Sequence, residues 1–108
     1  MPAPFERIAE LDRLIHEPAR LSILTALSAC RNAEFLFLLR LTGLSKGNLS
    51  SHLTKLEEAE LIVIEKSFVG KFPSTSIKIT REGRHQIERH WKMLEELRHD
   101  ALRWQPES

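Results

Sequence analysis

A mainly α-helical fold carrying one small antiparallel β-hairpin, an α+β arrangement, is predicted by three features of this 108-residue sequence. Leu49, Leu53 and Leu56 recur at i, i+4 and i+7 and so share one side of a helix. Two β-branched runs, Leu61 to Phe68 and Thr75 to Thr80, flank the turn-forming interval Val69-Gly70-Lys71-Phe72-Pro73-Ser74. Apolar residues of helical period occupy both ends of the chain.

Composition bounds the function classes. Hydrophobic content of 42% and charged content of 29% belong to an ordinary globular protein, and the length suits a single domain, residues 1–108, around one core. The net charge of +1 decides nothing, but its distribution is uneven. Arg40, Lys46 and Lys55 are the only charges from Arg40 to Leu56, and Lys66, Lys71, Lys78 and Arg81 the only ones from Lys66 to Arg81. Acid collects in Glu57, Glu58, Glu60 and the terminal segments, so a basic surface is compatible with the neutral total. The lone Cys30 excludes an internal disulfide and fits a reducing compartment. No apolar run approaches membrane-spanning length, and Met1-Pro2-Ala3-Pro4 lacks signal-peptide order, so the expected location is the cytoplasm, away from any membrane.

Taken in order, Phe5, Ile8, Leu11, Leu14 and Ile15 form a stripe that predicts an N-terminal helix over 5–16. Pro18 suits the first turn of a second helix, because its missing N–H has no helical partner there; Leu21, Leu24 and Leu27 mark the inner side up to about Ala29. Cys30, among small residues, is expected to be a packing residue, buried or half-buried. Asn32 is a plausible cap for a third helix over 33–42. Within it Phe35-Leu36-Phe37-Leu38-Leu39 is apolar all round and by pattern alone could equally be a buried strand. As a helix it cannot bury every side, so Leu36, Phe37 or Leu39 is expected to face a second subunit.

The central helix over 46–58 is marked twice at its start. Ser45 is a good N-cap, and Leu44 stands where a hydrophobic staple to Leu49 forms; Asn48 occupies the position at which a full capping box has Glu or Gln. Gly43 suits the left-handed residue that closes the preceding helix, so Thr42-Gly43-Leu44-Ser45 reads as the turn of a helix-turn-helix. Opposite the leucine stripe lie Gly47, Asn48, Ser50, Ser51, Thr54 and Lys55, small, polar and free of acid. In such motifs the second helix enters the DNA major groove N-terminal residues first. The two strands after it, joined by a basic tip, form a wing. Thr80 can cap a last helix running to about Trp104 before Pro106 stops it, with the stripe Ile87, Trp91, Leu94, Leu97 and Ala101 and with Leu102 and Trp104 beside it. That helix exceeds what one small core can cover, so its apolar side is expected to meet its own copy with help from the Phe5 to Ile15 helix.

These residues resemble the stand-alone winged-helix transcriptional regulators of the MarR/ArsR-like superfamily. The resemblance runs from His16-Glu17-Pro18-Ala19-Arg20-Leu21-Ser22-Ile23-Leu24 through Thr42 to Leu53 and Lys55-Leu56-Glu57-Glu58-Ala59, then Glu65 to Lys71, and ends at Ile79-Thr80-Arg81-Glu82-Gly83-Arg84. It implies a winged helix-turn-helix core over 17–80 and a dimerisation helix over 81–104. It also implies a homodimer on double-stranded operator DNA, helix 46–58 in the major groove and wing 68–75 on adjacent backbone or minor groove. Two positions depart from the pattern. Glu60 stands where the family usually has the glycine that ends the recognition helix, so the turn there is expected to be reshaped. The Leu36 to Leu39 run is more apolar than the family's usual third helix.

The DNA-contact residues expected are Ser45, Lys46, Gly47, Asn48, Ser50, Ser51, His52, Thr54 and Lys55 on the helix and Lys66 and Lys71 on the wing. Ser50 and Ser51 are assigned to bases or phosphates and the lysines mainly to phosphates, with Asn48 and His52 toward the flanks. The dimer contacts expected are Phe5, Ile8, Ile15, Ile87, Trp91, Leu94, Leu97, Ala101 and Trp104. Lys78 reads as an ordinary strand charge, and Arg81 and Arg84 suit pairing with Glu82 or Glu88 as well as they suit DNA. His85 and His90 lie five apart, roughly 140° around a helix, so no metal site is expected. There is no phosphate loop or nucleophile elbow, hence no enzyme and no cofactor are expected. An effector is compatible with this reading, and no residue pattern names one. The alternative is a winged helix used for protein interaction without DNA, through the Leu36 to Leu39 surface.

Overall fold

The computed structural model describes residues 5–104. Its elements follow one another as a short 3-10 helix (Glu6–Glu10), α1 (Pro18–Cys30), β1 (Asn32–Glu34), α2 (Phe35–Thr42), α3 (Lys46–Glu58), β2 (Ile62–Val69), β3 (Phe72–Ile79) and α4 (Arg81–Arg103). Pro106, expected to stop the last helix, lies outside the described residues; α4 ends at Arg103 with Trp104 extended.

The core gathers one side of every helix. Ile23, Leu24 and Leu27 of α1, Leu38 of α2, Leu49, Leu53 and Leu56 of α3, Ile62 and Ile77 of the hairpin and Ile87 of α4 are all buried. The leucine stripe of α3 is thus the inner side of that helix, each leucine contributing roughly 2 kcal/mol relative to exposure. Leu44 packs onto this core, and Ser45 Oγ accepts the Asn48 N–H at 3.2 Å.

The start of the chain differs from the sequence expectation. Helical hydrogen bonding stops at Glu10, Leu11 is extended, and Asp12 Oδ1 accepts the Leu14 N–H at 2.8 Å. A side-chain acceptor two residues upstream offers the backbone a competing bond, which ends the helix before the apolar stripe does. The turn that follows drives Ile15 into the core, 1% exposed. Residues 32–34 also differ. They form a strand on β3, with Asn32 opposite Lys78 and Glu34 opposite Ser76, so Asn32 caps nothing and α2 begins only after Glu34. The sheet order is β1-β3-β2, all antiparallel. Cys30 is exposed rather than packed, its thiol donating to the Ala26 carbonyl.

Gly43 is left-handed at φ 70, as the turn requires. Glu60 adopts the same region at φ 63 without reshaping the chain. Its N–H bonds the Glu57 carbonyl and the Leu61 N–H bonds the Leu56 carbonyl, the paired bonds of a Schellman closure made with a non-glycine residue. The Thr80 hydroxyl donates to the Glu60 carbonyl at 2.8 Å and so holds the strained residue in place. The same hydroxyl accepts the Gly83 N–H and caps α4.

His90 is the one histidine of α4 that turns inward, 4% exposed, with its Nε2 at 3.0 Å from His16 Nδ1. Burial, assisted by His16, holds His90 below the ordinary imidazole pKa of 6.5, while Asp12 pulls the other way. A depressed folded-state pKa means that the unfolded chain takes the proton first. The contribution is therefore complete above about pH 6.5 and lost as the pH falls from there through the lower folded value. The midpoint of urea unfolding should drop between about pH 7.5 and pH 5.5 in the wild type and drop less in His90→Leu. An equal drop in both would assign the acid sensitivity to another group.

Candidate nucleic-acid interface

The outward side of α3 follows from its inward one. With Leu49, Leu53 and Leu56 buried, helical geometry turns Lys46, Gly47, Asn48, Ser50, Ser51, Thr54 and Lys55 to solvent, and all are exposed. Ser45, also exposed, holds the first turn. Leu49 N–H bonds the Ser45 carbonyl and Asn48 N–H its hydroxyl, while among the described residues the N–H groups of Lys46 and Gly47 have no protein acceptor. A helix start with free N–H groups, a lysine and no acid favours an anion. A Cβ at Gly47 would meet nothing within 4 Å, so the first turn is open to approach. Thr54 donates its hydroxyl back to the Ser50 carbonyl at 2.9 Å and keeps only acceptor capacity outward.

The hairpin stands beside this surface. Ile62 pairs with Ile79 and Ile64 with Ile77 on the core side, and two residues farther out Lys66 pairs with Thr75 on that same side. Ser50 and Thr54 of α3 and Lys66 and Thr75 of the hairpin therefore border one crevice of about 330 Å³, floored by Phe35, Leu53 and Ile64. Lys71 occupies the two-residue turn after left-handed Gly70. Lys46, Lys55, Lys66 and Lys71 are all exposed; Glu65 adjoins Lys66 in sequence, and Glu57, the first acid after Lys46 and Lys55 on α3, is engaged through Oε2 by the Ile64 N–H at 2.9 Å.

His52 does not join the outward set. It is half-buried behind α3, where its Nδ1 lies 3.1 Å from an Arg20 guanidinium nitrogen and 3.7 Å from Glu17 Oε2. Arg20 is 9% exposed and also donates to the Leu14 carbonyl at 2.6 Å and the Arg13 carbonyl at 3.5 Å, so one guanidinium fastens the N-terminal turn, α1 and α3 together. Glu17 caps α1 by accepting the Arg20 N–H at 2.8 Å. Burial would raise its pKa, but backbone N–H bonds from Arg20 and Ala19 and the charges of His52 and Arg20 outweigh that and hold it below 4.5. This brace was missed in the sequence, although Arg20 stands on the inner stripe with Ile23, Leu24 and Leu27, and a charge there must find partners.

The residues expected at a dimer seam divide into two groups. Ile15 and Ile87, each 1% exposed, lie in the protomer's own core and cannot present a side chain to a partner. Leu97 is also buried. Phe5 and Trp104 meet edge to face at 5.8 Å within one chain, and Arg7 pairs with Glu96 at 3.2 Å, laying the N-terminal segment along the far half of α4. Trp91 donates to Thr25 of α1 at 3.0 Å but stays 40% exposed. Ile8, Ala101 and Leu102 are exposed, and Leu94 is half-buried. Arg84 donates to the Ser28 carbonyl at the end of α1 and lies 3.9 Å from Glu88, so it serves the fold.

A family model described as a winged helix DNA-binding domain matches residues 19–98. The chain belongs to that family. An uncharacterized protein of Methanocaldococcus jannaschii is 36% identical over 72 residues, 67% of this chain and 78% of its own length. The structure of a transcriptional regulator homologue from Pyrococcus horikoshii OT3 matches with a TM-score of 0.82 at 29% identity, over 90% of this chain and 97% of that one. A MarR-family transcriptional regulator from Silicibacter pomeroyi shares the fold, with a TM-score of 0.62 at 20% identity over 93% of this chain and 62% of its own. Family and fold together describe a winged-helix DNA-binding domain. No helix among the described residues is long and apolar enough to cross a membrane.

Proposed function

We propose that this winged-helix chain binds operator DNA as a homodimer, with α3 in the major groove and the β2–β3 hairpin over the adjacent backbone or minor groove. The observation that carries the reading is the outward side of α3: small, uncharged, open at its first turn, and flanked by lysines from both helix and hairpin. Ser50 and Ser51 lie in the middle of that side, where base edges come within reach. Lys46, Lys55, Lys66 and Lys71 suit phosphates.

A dimer is supported by shape. The radius of gyration of 17.2 Å exceeds the roughly 13 Å of a compact chain of this length, and the long dimension is 70 Å against 25 and 21 Å. The far half of α4 lies outside the core, leaving Ile8, Leu94 and Leu102 with partly or wholly exposed apolar surface that a second copy would cover. Two α3 helices related by the twofold would read half-sites about 34 Å apart.

Gel retardation of genomic fragments, with sizing at two salt concentrations, tests this. Four lysines per protomer make at most eight phosphate contacts in a dimer, so log affinity should fall against log salt with a slope between about −4 and −7. Retardation that ignores salt, or a stable monomer on DNA, would overturn the proposal. A stable hetero-complex without retardation would instead favour the exposed Leu36, Phe37 and Leu41 surface of α2 as the working side.

A further inference from the structure

The outer end of the hairpin carries three of the four most exposed large apolar side chains of the described residues, Phe68 at 73%, Val69 at 66% and Phe72 at 77%, the fourth being Leu102 on α4. Water-facing aromatics so concentrated are a surface without its partner. Register fixes where they point. Phe68 pairs with Pro73 and Val69 with Phe72, so Phe68 shares a strand side with Ile64 and Lys66, and Phe72 with Val69 takes the other. Lys66 borders the same crevice as Ser50 and Thr54 of α3, and Phe68 is the next residue outward on that side, roughly 7 Å on. Whatever lies along α3 therefore meets Phe68.

The tip is stiff and narrow. The ladder runs unbroken to Val69 and Phe72, and the turn consists of Gly70 and Lys71 alone. Pro73 lacks an N–H, yet β1 covers β3 only from Ser76 to Lys78, so Pro73 lies beyond that strand and takes no donor from its pairing. From Ile64 outward the hairpin extends about 17 Å to Val69.

We propose that this tip is an apolar wedge for the DNA minor groove: Phe68 presses against a base step beside the α3 contact, Phe72 and Val69 pack against the groove from the hairpin's other side, and together they unstack the step and bend the duplex. The inference rests on the operator-binding reading above and adds to it a contact that reads deformability. The preferred operator then carries an easily unstacked pyrimidine–purine step where the hairpin lands, although no hydrogen bond reads it. Charge selects DNA over a protein partner, because from Lys66 to Arg81 every charge is positive.

The test uses the full chain and a duplex recovered by this protein from a random-sequence pool, with 2-aminopurine substituted position by position and with end labels that report bending by energy transfer. Wild type should raise the fluorescence at one step, at fixed spacing from the α3 footprint, and shorten the end-to-end distance. The double variant Phe68→Ser, Phe72→Ser should abolish both signals and weaken binding by about tenfold or more, at an unchanged salt slope. Lys71→Ala, which removes one lysine from each protomer, should reduce the magnitude of the slope by about two and keep the unstacking signal. Since the aromatics are exposed, thermal melting of the double variant should match wild type. Salt-sensitive wild-type binding without unstacking or bending would overturn the wedge and leave the operator reading intact. Binding by the double variant with unchanged affinity and signals would overturn it too, as would loss of self-association alone. A wild type that recovers no duplex at low salt would instead remove the operator reading on which the wedge stands.

Discussion

Replacing Gly83 with alanine is expected to unfold the protein at a temperature lower by ten degrees or more. Gly83 sits in the first turn of α4, its N–H bound to the Thr80 hydroxyl at 2.9 Å, and a Cβ on it would overlap the carbonyl oxygen of Leu61. That oxygen already accepts the Thr80 N–H at 3.0 Å, and Leu61 is fixed by its own bond to Leu56 at the end of α3. The atom in the way is therefore backbone, held from two sides and 2% exposed, with no flexible side chain to yield. Alanine gains up to about 1 kcal/mol in helix preference over glycine, whereas forcing α4 off the α3–β2 junction should cost about 3 kcal/mol or more. At roughly 4–8 °C per kcal/mol for a domain of this size, the loss is plain in a melting curve. Gly47 provides the comparison: its Cβ position is open, so Gly47→Ala should raise the melting temperature slightly. A Gly83→Ala melting point within two or three degrees of wild type would mean that α4 does not approach Leu61 so closely.

This contact marks where the sequence stopped being legible. The Leu49, Leu53 and Leu56 stripe, the Ser45 cap and the left-handed Gly43 placed α3 to the residue, because each is a local constraint with a three- to four-residue reach. The hairpin was readable for the same reason. What failed was non-local or a contest between local signals. Asn32 to Glu34 have no β-branched residue and become a strand only because β3 passes beside them. The Phe5 to Ile15 stripe promised a helix, but the Asp12 carboxylate competed for the backbone and won. Ile15 and Ile87 were assigned outward because period alone cannot say whether an apolar side meets its own core or another chain. His52 was placed with the groove-facing residues although it is adjacent to Leu53. Its inward orientation depends on Arg20, thirty-two positions away.

A carboxylate at position 51 should abolish operator binding while leaving the fold unchanged. Ser51 is exposed midway along α3, opposite the buried Leu49 and Leu53, and no hydrogen bond of its hydroxyl supports the structure among the described residues. Glutamate is a better helix former than serine, so the melting temperature of Ser51→Glu should equal or exceed that of wild type. In the groove the same side chain would carry negative charge toward base edges and phosphates on a helix whose neighbouring charges, Lys46 and Lys55, are both positive. Like-charge placement at an interface costs several kcal/mol, which corresponds to an affinity loss of about a hundredfold or more. Ser22→Glu separates position from total charge: Ser22 is equally exposed on α1, changes the net charge by the same amount, and should alter affinity by no more than about threefold at moderate salt. Equal weakening by both variants would mean that the protein attracts DNA through its overall field alone. Undiminished binding by Ser51→Glu would move the contact surface off α3 altogether, since no duplex could lie along that helix and tolerate a carboxylate at its centre.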